Sequence, residues 1–224
     1  MLYNETDSFL LMIMNVQFFQ TLTAASIGNT VADMYHATMT QLNLGKKLVK
    51  STEISDEDII KSLNLALKKD DSISNLGMAF SLAASLDKNV AISVFDRIED
   101  VIVQADEINA NLLQFEGDLS LTSTILVGAY ALAKKCQKPP PISKESVLKF
   151  ANYFLTRKNV QKAEEAWHLL NALTILAKND FHTPVSITLS STPSVSEINP
   201  KVLIQVTDIM GDGLGGMNVQ IGNW

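Results

Sequence analysis

Apolar residues recur every three to four positions along most of the chain, and near residue 180 the period drops to two. Ala163, Trp167, Leu170, Leu173 and Ala177 step along one side of a helix, with Glu164, His168 and Asn171 on another. Pro184 cannot continue that helix, and Asn179 and Asp180 are residues of the kind that end one. Beyond it Val185, Ile187 and Leu189 alternate with Ser186, Thr188 and Ser190, the period of a half-buried strand.

Upstream, residues 24–44 read as one helix stopped by Gly45, with Val31, Met34, Tyr35, Ala37, Met39 and Leu42 as its apolar surface. Ser55 with Asp58 forms a capping-box pattern, and Asp56 and Glu57 suit the positive end of the helix it starts. Ile60, Leu63 and Leu67 are its expected buried stripe. Asp70-Asp71-Ser72 ends that helix and begins another through Leu76, Phe80, Leu82 and Leu86. Val94, Ile98, Val101, Ala105 and Ile108 predict one continuous helix ended by Asn109 to Asn111. A connecting segment follows, docked through Leu112, Leu113 and Phe115. Residues 119–133 are apolar nearly all round, which predicts the most buried helix. Residues 134–141, ending in three prolines, make a stiff connector to a helix capped by Ser143, with Val147, Phe150, Ala151 and Phe154 inside.

Three strands are expected after Pro184, at residues 185–191, 201–209 and 216–222. The predicted fold class is therefore mainly α: stacked antiparallel helix pairs, solenoid-like, followed by the start of an antiparallel β-sandwich. The domain reading is 1–23 as an unassigned segment (an insertion or a buried helix), 24–180 as the helical domain, and 181–224 as an incomplete β-domain. Three strands with one greasy face cannot close a sandwich.

Composition narrows the function classes. A formal charge of −6 and a pI near 5.0 argue against nucleic acid as the main partner. The one cysteine, Cys136, excludes a disulfide within the chain and any Cys-rich zinc site. The apolar run at residues 9–19 is too short to span a bilayer and carries Asn15 and Gln17. Glu5 and Asp7 precede it in place of a basic region, so it does not read as a signal peptide. The expectation is a cytosolic protein or a piece of a longer one.

No catalytic constellation forms from spacing. Gly211 to Gly216 literally contains GxGxxG, but alternation resumes at Met217 where a phosphate site needs a helix N-terminus. A hairpin turn is the better reading, with Asp208 and Asp212 as solvated turn residues rather than calcium ligands. His36, His168 and His182 have no second histidine at metal-binding spacing, so no metal and no cofactor are expected. His36 and His168 read as packed or solvated helix residues and His182 as a turn or capping residue. Lys135 and Lys138 flank Cys136 and would favour a thiolate, but no base stands at fixed spacing. The acidic groups Asp56-Glu57-Asp58 and Asp96, Glu99, Asp100 read as wet helix surface. Asn4-Glu5-Thr6 fits the N-glycosylation acceptor pattern, which makes Asn4 a candidate modification site. The residues alone describe an interaction module more than an enzyme.

An ordered set of stretches carries a family likeness. It comprises Tyr35-His36-Ala37, then Ile98-Glu99-Asp100-Val101 with Asp106-Glu107, then Leu113-Gln114-Phe115-Glu116. Residues 154–159 follow, then Phe181-His182-Thr183-Pro184-Val185 and residues 203–207. Together they resemble the ribophorin II family, subunits of the oligosaccharyltransferase complex. The resemblance implies a non-catalytic structural subunit of that complex, supporting N-linked glycosylation from the lumenal side of the endoplasmic reticulum membrane. It implies other oligosaccharyltransferase subunits as partners, and membrane attachment through family segments absent from this chain. The competing expectation is a cytosolic helical-repeat scaffold for protein-protein interaction.

Overall fold

The computed structural model of the chain describes residues 18, 20–44, 55–189 and 204–220. Within them the chain is mostly helical, with two small antiparallel sheets. It groups into two compact units, Met1–Gln104 with Thr124–Pro141, and Ala105–Ser123 with Ile142–Trp224.

In the first unit the expected helix over 24–44 is two helices. One ends by residue 26 and α1 spans Val31–Leu44. Gly28 turns back to donate its N–H to the Ala25 carbonyl at 3.0 Å. A Cβ there would meet that oxygen at 2.9 Å, so only glycine fits the break. Thr30 then caps α1: its Oγ1 accepts the Asp33 N–H at 3.1 Å and donates to the Asp33 carboxylate at 2.6 Å. Helix α2, Asp56–Leu67, repeats the device, with Ser55 Oγ accepting from the Asp58 N–H and donating to its carboxylate. It buries Ile59, Leu63, Ala66 and Leu67; Ile60 is only half-buried.

Helix α3, Ile73–Ser85, is the hub of this unit. Helices α1 and α2 pack against it, as do α4 (Lys88–Phe95) and α5 (Arg97–Ile102). Leu76, Ala79, Phe80, Leu82 and Ala83 of α3 are buried. The long helix α6, Leu119–Cys136, gives its first residues to the second unit and its remainder to this one. Gly128 of α6 lies so close to α3 that an added Cβ would sit 2.7 Å from the Gly77 carbonyl oxygen and 2.9 Å from Ser81 Oγ. A Cβ on Gly77 would in turn meet Ile125 at 2.9 Å. Two glycines thus let two apolar helices touch backbone to side chain, giving the dense packing that makes burial effective.

The second unit corrects the prediction of a single helix through residue 108. After α5 the chain forms β1 (Asp106–Asn109) and β2 (Leu112–Gln114), paired antiparallel. Asn109 and Asn111 make the turn between them, with the Asn109 side-chain oxygen accepting the Asn111 N–H at 2.9 Å. Strand β2 lies along α7, Lys144–Thr156, which Ser143 caps as expected. Phe115 is fully buried and stacks on Phe150 with ring centroids 5.7 Å apart. Lys149 Nζ reaches Glu107 at 2.6 Å and Glu145 at 2.9 Å, tying the hairpin to the helix.

Helix α8, Ala163–Lys178, packs on α7 with Leu169, Ala172, Leu176 and Ala177 inside. The apolar side read from the spacing is only partly inside: Ala177 is buried, but Trp167 and Leu170 are 59% and 55% exposed. Strands β3 (Val185–Leu189) and β4 (Ile204–Asp208) pair antiparallel, Val185 opposite Asp208 and Leu189 opposite Ile204. The third predicted strand does not form over residues 217–220, and residues 221 and 222 lie outside the described residues. After β4 the chain turns back on itself, as the expected hairpin turn does. Leu214 N–H donates to the Val206 carbonyl, and Gly213 bridges to Thr207. Asp208, expected to be solvated, is buried, and its carboxylate accepts the N–H groups of Met210 and Asp212 at 2.8 and 3.0 Å. Gly211, with φ of +92°, takes the left-handed turn position.

Candidate functional site

The junction between α8 and β3 is held by one amide. Asn179 Nδ2 donates to the carbonyls of Ile175 and Leu176, both at 3.0 Å, and to that of His182. Its Oδ1 accepts the N–H groups of Phe181 and His182 at 2.9 and 2.6 Å. The helix end is thus satisfied by a side chain that also sets the direction of the strand. Pro184, buried, then commits the backbone to extended geometry.

Beside this knot lies an open cleft of about 250 Å³ lined by Lys144, Val147, Leu148, Phe181, His182, Thr183 and Pro184. Its lining combines apolar Val147, Leu148, Phe181 and Pro184 with polar Lys144, His182 and Thr183. Burial, followed by the nearby Lys144 charge, holds the His182 imidazole below its ordinary value of 6.5.

The other residues singled out from the sequence are not brought together. Among the described residues no group of three or more His, Cys, Asp and Glu side chains is placed to hold a metal. Cys136 is not in a loop; it is the last residue of α6 and is buried. Burial pushes its thiol above the usual range, and Lys138, Lys88 and Lys135 offset this only in part. His36 is exposed and lies edge-on to Tyr35, while His168 lies edge-on to Trp167, with centroids 5.1 and 4.9 Å apart. The His168 carbonyl accepts from Ser123 Oγ at 2.7 Å. Asp96, Glu99 and Asp100 are exposed, and Asp56 accepts the Asp87 N–H. Asn4 lies outside the described residues.

Sequence reasoning did not foresee the cleft, nor the exposed pair Trp167 and Leu170. The cleft joins residues some forty positions apart, which no spacing rule connects. Among the described residues, no helix is long and apolar enough to cross a membrane.

Comparison with known proteins supplies what the geometry alone does not. The sequence model for the ribophorin II N-terminal domain matches residues 15–177, most of the chain. A dolichyl-diphosphooligosaccharide–protein glycosyltransferase subunit, swp1 of Dictyostelium discoideum, is 36% identical over 126 residues. That match covers 55% of this chain and 18% of the relative, so the chain spans a minor part of that protein's length.

Proposed function

The chain belongs to the ribophorin II family, and from that premise we propose that it is a non-catalytic structural part of an oligosaccharyltransferase in the endoplasmic reticulum. In this role it supports transfer of a dolichol-linked oligosaccharide to asparagine by packing against other subunits of the complex. The observation that carries the reading is the family match over residues 15–177, beside the similarity to a named glycosyltransferase subunit. The buried thiol of Cys136 adds support, since a buried, protonated sulfur makes a poor nucleophile. The helices of residues 24–180 then serve as a stacked, solenoid-like array, and residues 181–224 as the opening strands of a β-sandwich. The chain sits on the lumenal side, where Asn4 is an acceptor for a glycan.

Co-purification tests this. Tagged protein expressed in its own cells is expected to bring down glycosyltransferase subunits and to sediment with membranes. Recovery only in the cytosol, free of those subunits, would replace the reading with a helical scaffold. A glycosidase-sensitive mobility shift that vanishes in Asn4→Gln would place the N-terminal end in the lumen.

A further inference from the structure

We propose that the cleft at the α8–β3 junction is a notch for an acidic, apolar segment of a partner polypeptide. One aliphatic or aromatic side chain seats against Val147, Leu148, Phe181 and Pro184, and a neighbouring carboxylate meets Lys144. The proposal rests on the reading of this chain as a packing subunit and names the chemistry of one of its contacts.

Size is the first argument. At about 250 Å³ the cleft falls below the ~300–1,000 Å³ of small-molecule sites. It suits a side chain delivered by a polypeptide. Charge is the second. The chain carries a formal charge of −6, yet among the described residues no carboxylate lines this cleft. Lys149, one turn further along α7, is occupied by Glu107 and Glu145, whereas Lys144 makes no ion pair among the described residues. Lys144 also opens α7, where the helix dipole favours an anion. Rigidity is the third. The Asn179 hydrogen bonds fix one wall and the capped start of α7 fixes the other, so little ordering is left to oppose binding. Leu148, which lines the cleft, is 47% exposed and gains burial when the cleft is filled.

The test uses the full 224-residue chain, ¹⁵N-labelled, with acetyl-Leu-Glu-Leu-amide, its Leu-Gln-Leu counterpart and sodium acetate as probes. The Glu peptide is expected to shift the amides of Leu148, His182 and Thr183 saturably, with Kd on the order of 1 mM. The Gln peptide should bind about fivefold more weakly, the change one exposed ion pair supplies. Lys144→Glu should cost at least as much, and Leu148→Ala should weaken both peptides alike. Equal binding of the Glu and Gln peptides, acetate reproducing the shifts, or no saturable shift would each overturn the notch. If wild-type protein still co-purifies with glycosyltransferase subunits in that case, the accessory role stands and only the notch falls. If it does not, the accessory role falls whatever the peptides do.

Discussion

The α3–α6 crossing and the β3–β4 pair treat the same kind of side chain in opposite ways. At the crossing Phe80, Leu82, Ile125 and Leu126 are wholly inaccessible to solvent, and two glycines bring the helices together. In the sheet Ile187 is 58% exposed and Val185 is also uncovered. Both regions follow an apolar pattern, but among the described residues only the first has a second layer to bury it against. Periodicity states which residues are able to share a face. Burial requires a partner surface, and stability follows burial at roughly 25 cal/mol per Å².

Substitutions graded along this contrast should separate the two regions. The largest effect is expected for Phe80→Ala, which empties a filled site in the hub helix and should cost about 4 kcal/mol. Chemical denaturation of the full chain measures it; a loss under 1 kcal/mol would mean that the hub is loosely packed. Gly128→Ala comes next, at about 2 kcal/mol, because its Cβ strikes the Gly77 backbone. Gly213→Ala in the sheet region, where a Cβ meets nothing within 4 Å, should leave the midpoint unchanged. Asn179→Ala strips a helix end and two turn N–H groups of their partner and should cost about 1–2 kcal/mol. Its effect should concentrate as faster amide exchange at residues 181–183. Ile187→Thr should change stability by less than about 0.5 kcal/mol, as an exposed position does. A larger loss would show that the sheet face is covered in solution.

Acidity offers the gentlest probe. His182 titrates below its unfolded value of 6.5, so the unfolded chain binds the proton more readily. Its contribution is therefore fully present above pH 6.5 and is lost as pH falls through the folded value. Between pH 7.5 and 5.5 the wild-type unfolding midpoint should fall more than that of His182→Asn. Glu145, depressed from 4.5 by Lys149, stays ionised throughout that range and does not confuse the comparison.

Much of the helical body was legible because local chemistry marks helix ends. Ser55, Ser143 and Asn179 were all readable as caps or stops, and all three cap or close a helix. Thr30 and Asp33 carry the same capping pattern, but a continuous apolar run spans it, so the sequence reads as one helix where there are two. Ala105 and Ile108 keep a helical spacing past α5, which hid the hairpin; the Asn109 turn, a tertiary as much as a local choice, decided it. In α8 apolar residues lie on more than one side, and the bulk of Trp167 drew the predicted stripe to the solvent face. The buried set Leu169, Ala172 and Leu176 is selected by contact with α7, information that no single helix contains. The cleft was illegible for the same reason.

Asn179 makes the helix-to-strand junction depend on one side-chain amide. Its amide nitrogen faces three carbonyl oxygens. An aspartate in its place would exchange that donor for a negative oxygen aimed at the same three, turning attraction into repulsion. That one exchange of nitrogen for oxygen would unfasten strand from helix and loosen the wall formed by Phe181 and His182, so the direction of the chain at this corner hangs on which atom the side chain ends in.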